Sequence, residues 1–315
     1  MIEPPDESDS QLEPGGWIPG LPDAAAFVID AGKASAIPVV IAAPHGGRVY
    51  PPGLLRDLRH GDRSVLRLED RYVDVLARAV AQATGARLLV ALAPRAMIDL
   101  NRAPEDIDWE MFVREARPPG AMPLPSRRAR SGLGLFPRRL GGLGELWRRR
   151  LGAQDLAERV GGIHEPYHAA LGQALADLRE RWGAALLVDL HSMPPLPANS
   201  GAPAAQVVLG DRFGASCHGA VVAAAFAHFE EAGRAAAHNR PYAGGYVLER
   251  HANPRGGIHA IQIEIDRSRY LDPQLVEEGP GMAGVVDDLA ALVSRLAAVV
   301  EELGGQNAGW PLAAE

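Results

Sequence analysis

Two short apolar runs that each stop on a histidine constrain this chain more than any other feature. Residues 38–43 (PVVIAA) stop at Pro44-His45-Gly46-Gly47, and residues 184–190 (AALLVDL) stop at His191. Runs this short, this apolar and this rich in β-branched residues suit strands covered on both faces, as in parallel sheets flanked by helices. The rest of the chain supplies the partners. Residues 87–93, 206–209 and 258–265 read as further strands. Between them, residues 69–83 carry Val73, Leu76, Ala79 and Val80 at helical spacing, and 166–182 carry Leu171, Leu175 and Leu178. An alanine-rich helix is expected over 219–233 and a long closing helix over 284–303. Strands alternating with helices predict an α/β fold, a three-layer α/β/α arrangement with a mixed, mostly parallel central sheet.

Composition limits what such a fold can do. The chain has 315 residues, 47% of them apolar, enough for a sizeable core. Its net charge of −7 argues against general binding to nucleic acid or anionic membrane, which needs excess basic charge. Cys217 is the only cysteine, so a metal site would have to use His and carboxylate ligands. Lys33 is the only lysine, as in proteins from GC-rich bacterial genomes. No apolar run reaches the ~18 residues of a membrane span, and the acidic, proline-rich start lacks the pattern of a secretory signal. A cytoplasmic location is expected. Residues 1–22 read as a poorly ordered tail, 23–305 as one domain and 306–315 as a second tail. Within the domain, about 110–150 reads as a surface excursion, because Arg, Pro and Gly dominate from 114 onward with little apolar period.

In open α/β sheets, functional groups collect beyond the carboxyl ends of the strands, where both histidines stand. In HAIQIEID (259–266), Ile261, Ile263 and Ile265 alternate with Gln262, Glu264 and Asp266. A two-residue period puts the isoleucines on one face and the polar groups on the other, which suits a strand that borders a cavity. Two imidazoles and a carboxylate from the Glu69-Asp70 pair would leave a fourth zinc position open, the arrangement of catalytic zinc sites. Glu264 would then serve as a separate proton-transfer group. The competing nucleophiles are weaker: Ser192 lies in no G-x-S-x-G elbow, and Cys217 has only its chain neighbour His218 as a base.

At these motifs the chain resembles the N-formylglutamate amidohydrolase family, itself similar to zinc carboxypeptidases and to the aspartoacylase/succinylglutamate desuccinylase group. The matching segments include PHGGRVYP (44–51), EDRYVDVL (69–76), RAMIDLNRAP (95–104), HEPYHAAL (164–171), VDLHSMP (188–194), LGDRFGASC (209–217), NRPYAGGYV (239–247) and GIHAIQIEIDRSRYLD (257–272), in order along the chain. The resemblance implies a zinc-carboxypeptidase-like fold and one catalytic Zn2+ held by His45, Asp70 and His191, with Glu69 the fallback for Asp70. Arg48 stands where relatives with a short His-x-x-Glu spacing have their acid, so the carboxylate ligand must come from further along. Glu264 resembles the general base and acid. Arg102 resembles the arginine that pairs with a substrate carboxylate, a task suited to a guanidinium fork. Asn101, Arg95 and Arg240 are further substrate-binding candidates. The implied reaction is hydrolysis of a small N-acyl amino acid, N-formyl-L-glutamate to L-glutamate and formate, a step of histidine degradation. The alternatives are a carboxypeptidase-like or other small-amide amidase and a non-catalytic binding protein.

Overall fold

The computed structural model describes residues 12–30, 35–118, 126–198 and 203–308. The strands, in chain order, are β1 (Leu12–Gly15), β2 (Phe27–Asp30), β3 (Val39–Ala43), β4 (Arg87–Ala91), β5 (Arg139–Leu140), β6 (Gly144–Glu145), β7 (Ala185–Met193), β8 (Val207–Gly210), β9 (Ala236–His238) and β10 (Ile258–Asp266). The helices are α1 (Pro52–Asp57), α2 (Gly61–Leu68), α3 (Val73–Thr84), α4 (Arg127–Arg130), α5 (Ala153–Arg159), α6 (Glu165–Trp182), α7 (Gly219–Glu231), α8 (Tyr246–His251) and α9 (Met282–Ala308). β5 and β6 form a separate two-stranded hairpin, and the other strands make one sheet in the order β1-β2-β4-β3-β7-β10-β8-β9. Its centre, β4-β3-β7-β10, is parallel, while β2 and β8 join it antiparallel. The expected three-layer α/β/α arrangement and mixed, mostly parallel sheet are what the structure shows.

Alternation along the central strands divides the core in two. Val39, Ile41, Leu186, Val188, Ile261, Ile263 and Ile265 pack with α3, α7 and α9, while Val40, Ala42, Ala185, Leu187 and Ala260 pack with α6. Fully burying one such aliphatic side chain contributes about 1.5–3 kcal/mol, so the isoleucine stripe fixes which way β10 faces. A one-residue slip would exchange that stripe with Gln262 and Glu264. Asp189 and His191 share the parity of Leu187, so they and the polar stripe of β10 lie on the α6 side. The parallel register sets Gln262 beside Asp189 and Glu264 beside His191.

Several expectations need correction. Residues 12–22 are not a tail, since β1 pairs with β2 and Ile18 is fully buried; residues 1–11 lie outside the described residues. Residues 306–308, expected in the second tail, belong to α9, and 309–315 lie outside the described residues. The 110–150 segment is more than a surface excursion. Phe112, Leu135, Phe136, Leu146, Trp147 and Leu151 are buried in the same cluster as α6, and the rings of Phe112 and Phe136 meet edge to face at 5.3 Å. These residues sit in short irregular elements, so they have no helical or strand period to read. Finally, the helix expected from Glu69 starts at Val73, because Tyr72 takes a left-handed backbone (φ 56°). No described helix is long and apolar enough to cross a membrane.

Candidate metal centre and catalytic cleft

β3 delivers His45, the chain after α2 delivers Asp70, and β7 delivers His191, which lies within the strand and not after it. All three side chains are buried, and one ligand atom from each falls within 4.8 Å of the others. Asp70 Oδ2 is 3.6 Å from His45 Nδ1 and 3.0 Å from His191 Nδ1. The two imidazole centroids are 4.7 Å apart. A backbone hydrogen bond from Asp70 N to His45 O ties the two loops together at 3.0 Å.

Glu69, the fallback, is directed elsewhere. Its Oε1 accepts from Tyr50 Oη at 2.7 Å and its Oε2 from Arg71 Nη1 at 2.9 Å. Extended backbone at Glu69 (ψ 143°) sends neighbouring side chains to opposite sides, so only Asp70 joins the histidines. The glycines after His45 are needed for close approach. A Cβ on Gly47 would stand 2.2 Å from Ala93 O, and one on Gly46 would stand 2.9 Å from the backbone of Asp74.

The donor set fits a cation. His45 Nε2 donates to Asp99 Oδ1 at 2.8 Å, which fixes the tautomer and leaves Nδ1 as a lone pair. That Nδ1 is buried without a hydrogen-bond partner, a costly state unless something positive faces it. Asp70 Oδ2 lies 3.6 Å from it, Asp99 stands at the ring's other nitrogen, and Asp189 and Glu264 stand beside His191. Burial opposes charge at His191, yet Asp189 at 3.0 Å from Nε2 and Asp70 at Nδ1 hold its pKa well above the usual value. Asp70 is held well below the ordinary carboxylate range. Its burial opposes this shift, and the hydrogen bond with His191 together with the neighbouring His45 ring overcomes it. Buried carboxylates thus face both imidazoles, a donor set of the kind that holds a cation.

Glu264 faces the same space from β10. Burial is the chief cause that pushes its carboxyl up to about 7. Gln262 Nε2 donates to Glu264 Oε1 at 2.9 Å, and Asn101 Nδ2 donates to Gln262 Oε1 at 3.2 Å. Asn101 Oδ1 accepts from Val247 N at 3.0 Å, so this side chain is largely committed to the wall. Arg95 lines the cleft but gives Nε and Nη2 to Asp99 Oδ2, at 3.0 and 2.9 Å, and so braces the carboxylate behind His45. Arg102 donates Nε to Leu133 O and Nη1 to Asn101 O. Its Nη2 has no hydrogen bond among the described residues. Arg240 is exposed and is not among the residues lining the cleft. Its place as a free cation there is taken by Arg128, which has no ion pair among the described residues.

Sequence reasoning assigns no role to five further contributors, although all lie within the matched segments. Asp189 and Gln262 carry a usable signal, since each precedes a chosen residue by two positions on a strand and so shares its face. Asp99, Tyr242 and Arg267 have no period that places them at the site. Arg267 reaches back from the chain after β10 to bind Asp70 Oδ1 at 2.9 Å, Glu69 O at 2.6 Å and Ser192 Oγ at 3.0 Å. The enclosed cleft measures about 220 Å³, below the roughly 300–1,000 Å³ of sites for drug-sized ligands. It suits a substrate of amino-acid size.

A mostly parallel sheet with a His–Asp–His cluster and a buried glutamate at one end of its strands defines a hydrolase of the α/β class. Similarity to known proteins specifies it further. The chain belongs to the N-formylglutamate amidohydrolase family, whose model matches residues 37–271. It is 28% identical over 253 residues to an N-formylglutamate deformylase of Pseudomonas aeruginosa, covering 77% of this chain and 85% of that one. An N-formylglutamate deformylase of Pseudomonas putida is also 28% identical, over 240 residues, covering 75% and 82% of the two chains. The crystal structure of an N-formylglutamate amidohydrolase from Ralstonia eutropha JMP134 superposes with a TM-score of 0.77 at 32% identity, covering 88% of this chain and 99% of that one. The chain is thus a hydrolase of carbon–nitrogen bonds.

Proposed function

We propose that this chain hydrolyses the formyl amide of N-formyl-L-glutamate, giving L-glutamate and formate, with Zn2+ held by His45 Nδ1, Asp70 Oδ2 and His191 Nδ1. The observation that carries the reading is the convergence of those three atoms, one an unpaired buried imidazole nitrogen, beside Glu264. Zinc in such a site supplies Lewis acidity, which acidifies water and polarises a carbonyl oxygen. Glu264 takes a proton from the attacking water and returns it to the departing amine nitrogen, two tasks suited to a carboxyl whose burial raises its pKa toward neutrality. Asp99, braced by Arg95, keeps His45 in the tautomer that presents Nδ1. Arg102 and Arg128 line the side of the cleft where a substrate carboxylate can be met. The small cleft favours a formyl group over bulky acyl groups.

The test is release of primary amine from N-formyl-L-glutamate beside its N-acetyl and N-succinyl analogues, with zinc content measured on the same samples. Stoichiometric zinc with formyl-selective turnover is expected in the native protein, and loss of bound zinc in His45→Ala and His191→Ala. Full zinc occupancy in either variant would remove the ligand assignment. A zinc-loaded native protein inert toward all three compounds would remove the substrate.

A further inference from the structure

A second, larger space of about 590 Å³ adjoins the enclosed cleft. The two share Asn101, Arg102, Arg128 and residues 243–245 as a common wall. A substrate of amino-acid size fits the inner space alone, whereas the outer volume lies within the range of sites for larger ligands. Phe213 lines this outer chamber at 71% exposure, the most exposed large hydrophobic among the described residues, and Tyr246 lines it too. The position of Phe213 is built in. Arg212 (φ 54°) and Phe213 (φ 57°) are successive non-glycine residues in the left-handed region, which an L side chain adopts at a cost. Asn239 Oδ1 pins that turn by accepting from Asp211 N at 3.0 Å and Phe213 N at 3.4 Å, while Asn239 Nδ2 donates to Asp211 Oδ1 at 2.7 Å.

Charge at the junction adds a direction. The carboxylate of Asp106 is used by Ser126, and Glu249 pairs with Arg212 at 2.7 Å. Among the described residues Arg128 has no ion pair, whereas Arg102 Nε stands 3.9 Å from Asp99 Oδ2; both arginines line the two spaces, and Glu105 lines the outer one. What lies beyond them therefore continues from the carboxylate-bearing end of the substrate, away from the acyl group.

We propose that the outer chamber is a subsite for an extension on that end, so that the enzyme also deacylates N-formyl-glutamyl dipeptides whose second residue is aromatic and lies against Phe213. This rests on the reading of the inner cleft given above. The bond broken is the same acyl C–N bond. Water supplies the hydroxyl to the acyl carbon and a proton to the nitrogen, giving formate and the free dipeptide, with the peptide bond untouched.

The experiment compares N-formyl-L-glutamate with α- and γ-linked N-formyl-glutamyl-phenylalanine, in the zinc-loaded native enzyme and in Phe213→Ser. The native enzyme should cleave at least one dipeptide. In Phe213→Ser the ratio of kcat/KM, dipeptide over N-formylglutamate, should fall about tenfold through KM, the loss expected for one aromatic contact. A calorimetric titration with the free glutamyl-phenylalanine products should show tighter binding than L-glutamate, with the difference lost in Phe213→Ser. Turnover of N-formylglutamate with neither cleavage nor tighter binding of the dipeptides overturns the subsite alone. An unchanged ratio in Phe213→Ser overturns it as well. Cleavage of none of the three substrates overturns the reading of the inner cleft and the subsite with it.

Discussion

Asp99→Asn is the sharpest probe of how the centre is held. The change keeps shape but removes the negative charge from a fully buried group. That carboxylate serves three donors: His45 Nε2 at 2.8 Å, the Arg95 fork at 2.9 and 3.0 Å, and Asn101 N at 2.9 Å. Burial opposes charge on Asp99, yet Arg95 and His45 outweigh it and hold the carboxyl well below its ordinary range. Breaking a buried ion pair on one side costs about 3–5 kcal/mol, because the other charge stays desolvated. Arg95 keeps 20% of its side chain exposed, which places the expected loss at the low end, about 3 kcal/mol. The amide also presents a donor or an acceptor to His45 Nε2 with equal ease, so the imidazole tautomer is no longer fixed, and zinc affinity should fall about 10–100-fold. Urea denaturation of the zinc-free protein reads the first effect, and competition with a chelator reads the second. Arg95→Met added to Asp99→Asn should recover part of the stability, because it removes the stranded cation. A single variant with native stability and native zinc affinity would refute the bracing role, and a double variant less stable than the single would refute the ion-pair account.

Other outcomes follow from the same geometry. Glu264→Gln should keep the fold and bind zinc yet lower kcat by about 10²–10⁴-fold; turnover within a few-fold of native would exclude its proton-transfer role. Gly47→Ala places a methyl 2.2 Å from Ala93 O and should destabilise by about 1–3 kcal/mol, read as a lower urea midpoint. Stability should also fall with acid, because burial lowers His168 to about 2 and His251 to about 4, from an ordinary 6.5. Above pH 6.5 both states leave these rings neutral; below it the unfolded chain takes up protons that the fold refuses. The loss should approach about 1.4 kcal/mol per pH unit for each ring between pH 6.5 and 4. Urea midpoints that stay flat from pH 7.5 to 5 would contradict it.

The parts of this molecule legible in its sequence are those with a period. Alternation in HAIQIEID is enough to assign the face of Glu264, because burying three isoleucines on one side leaves the polar side no choice. The apolar runs before His45 and His191 likewise locate the sheet's centre, although β7 continues through His191 to Met193. Where apolar residues have no period, as at Phe112, Phe136 and Trp147, the same burial leaves no trace in the pattern. The order of a buried layer built from short turns depends on which residues meet across the chain, and only the tertiary fold supplies that.

The choice between Glu69 and Asp70 shows the limit most clearly. The two are adjacent and chemically alike, and only family resemblance ranks them at the level of sequence. The fold separates them by backbone geometry and by what waits on each side. Tyr50 and Arg71 hold Glu69, while Arg267, nearly two hundred residues along the chain, holds Asp70 toward the histidines. Arg267 can do this because it follows the strand that carries Glu264, and the register of β10 on β7 fixes both at once. The positions of Asp70 and Glu264 are thus set by one strand pairing. A slip of that pairing would misplace Glu264 and release Asp70 together, so disturbing the β7–β10 register should cost zinc binding and proton transfer in the same step.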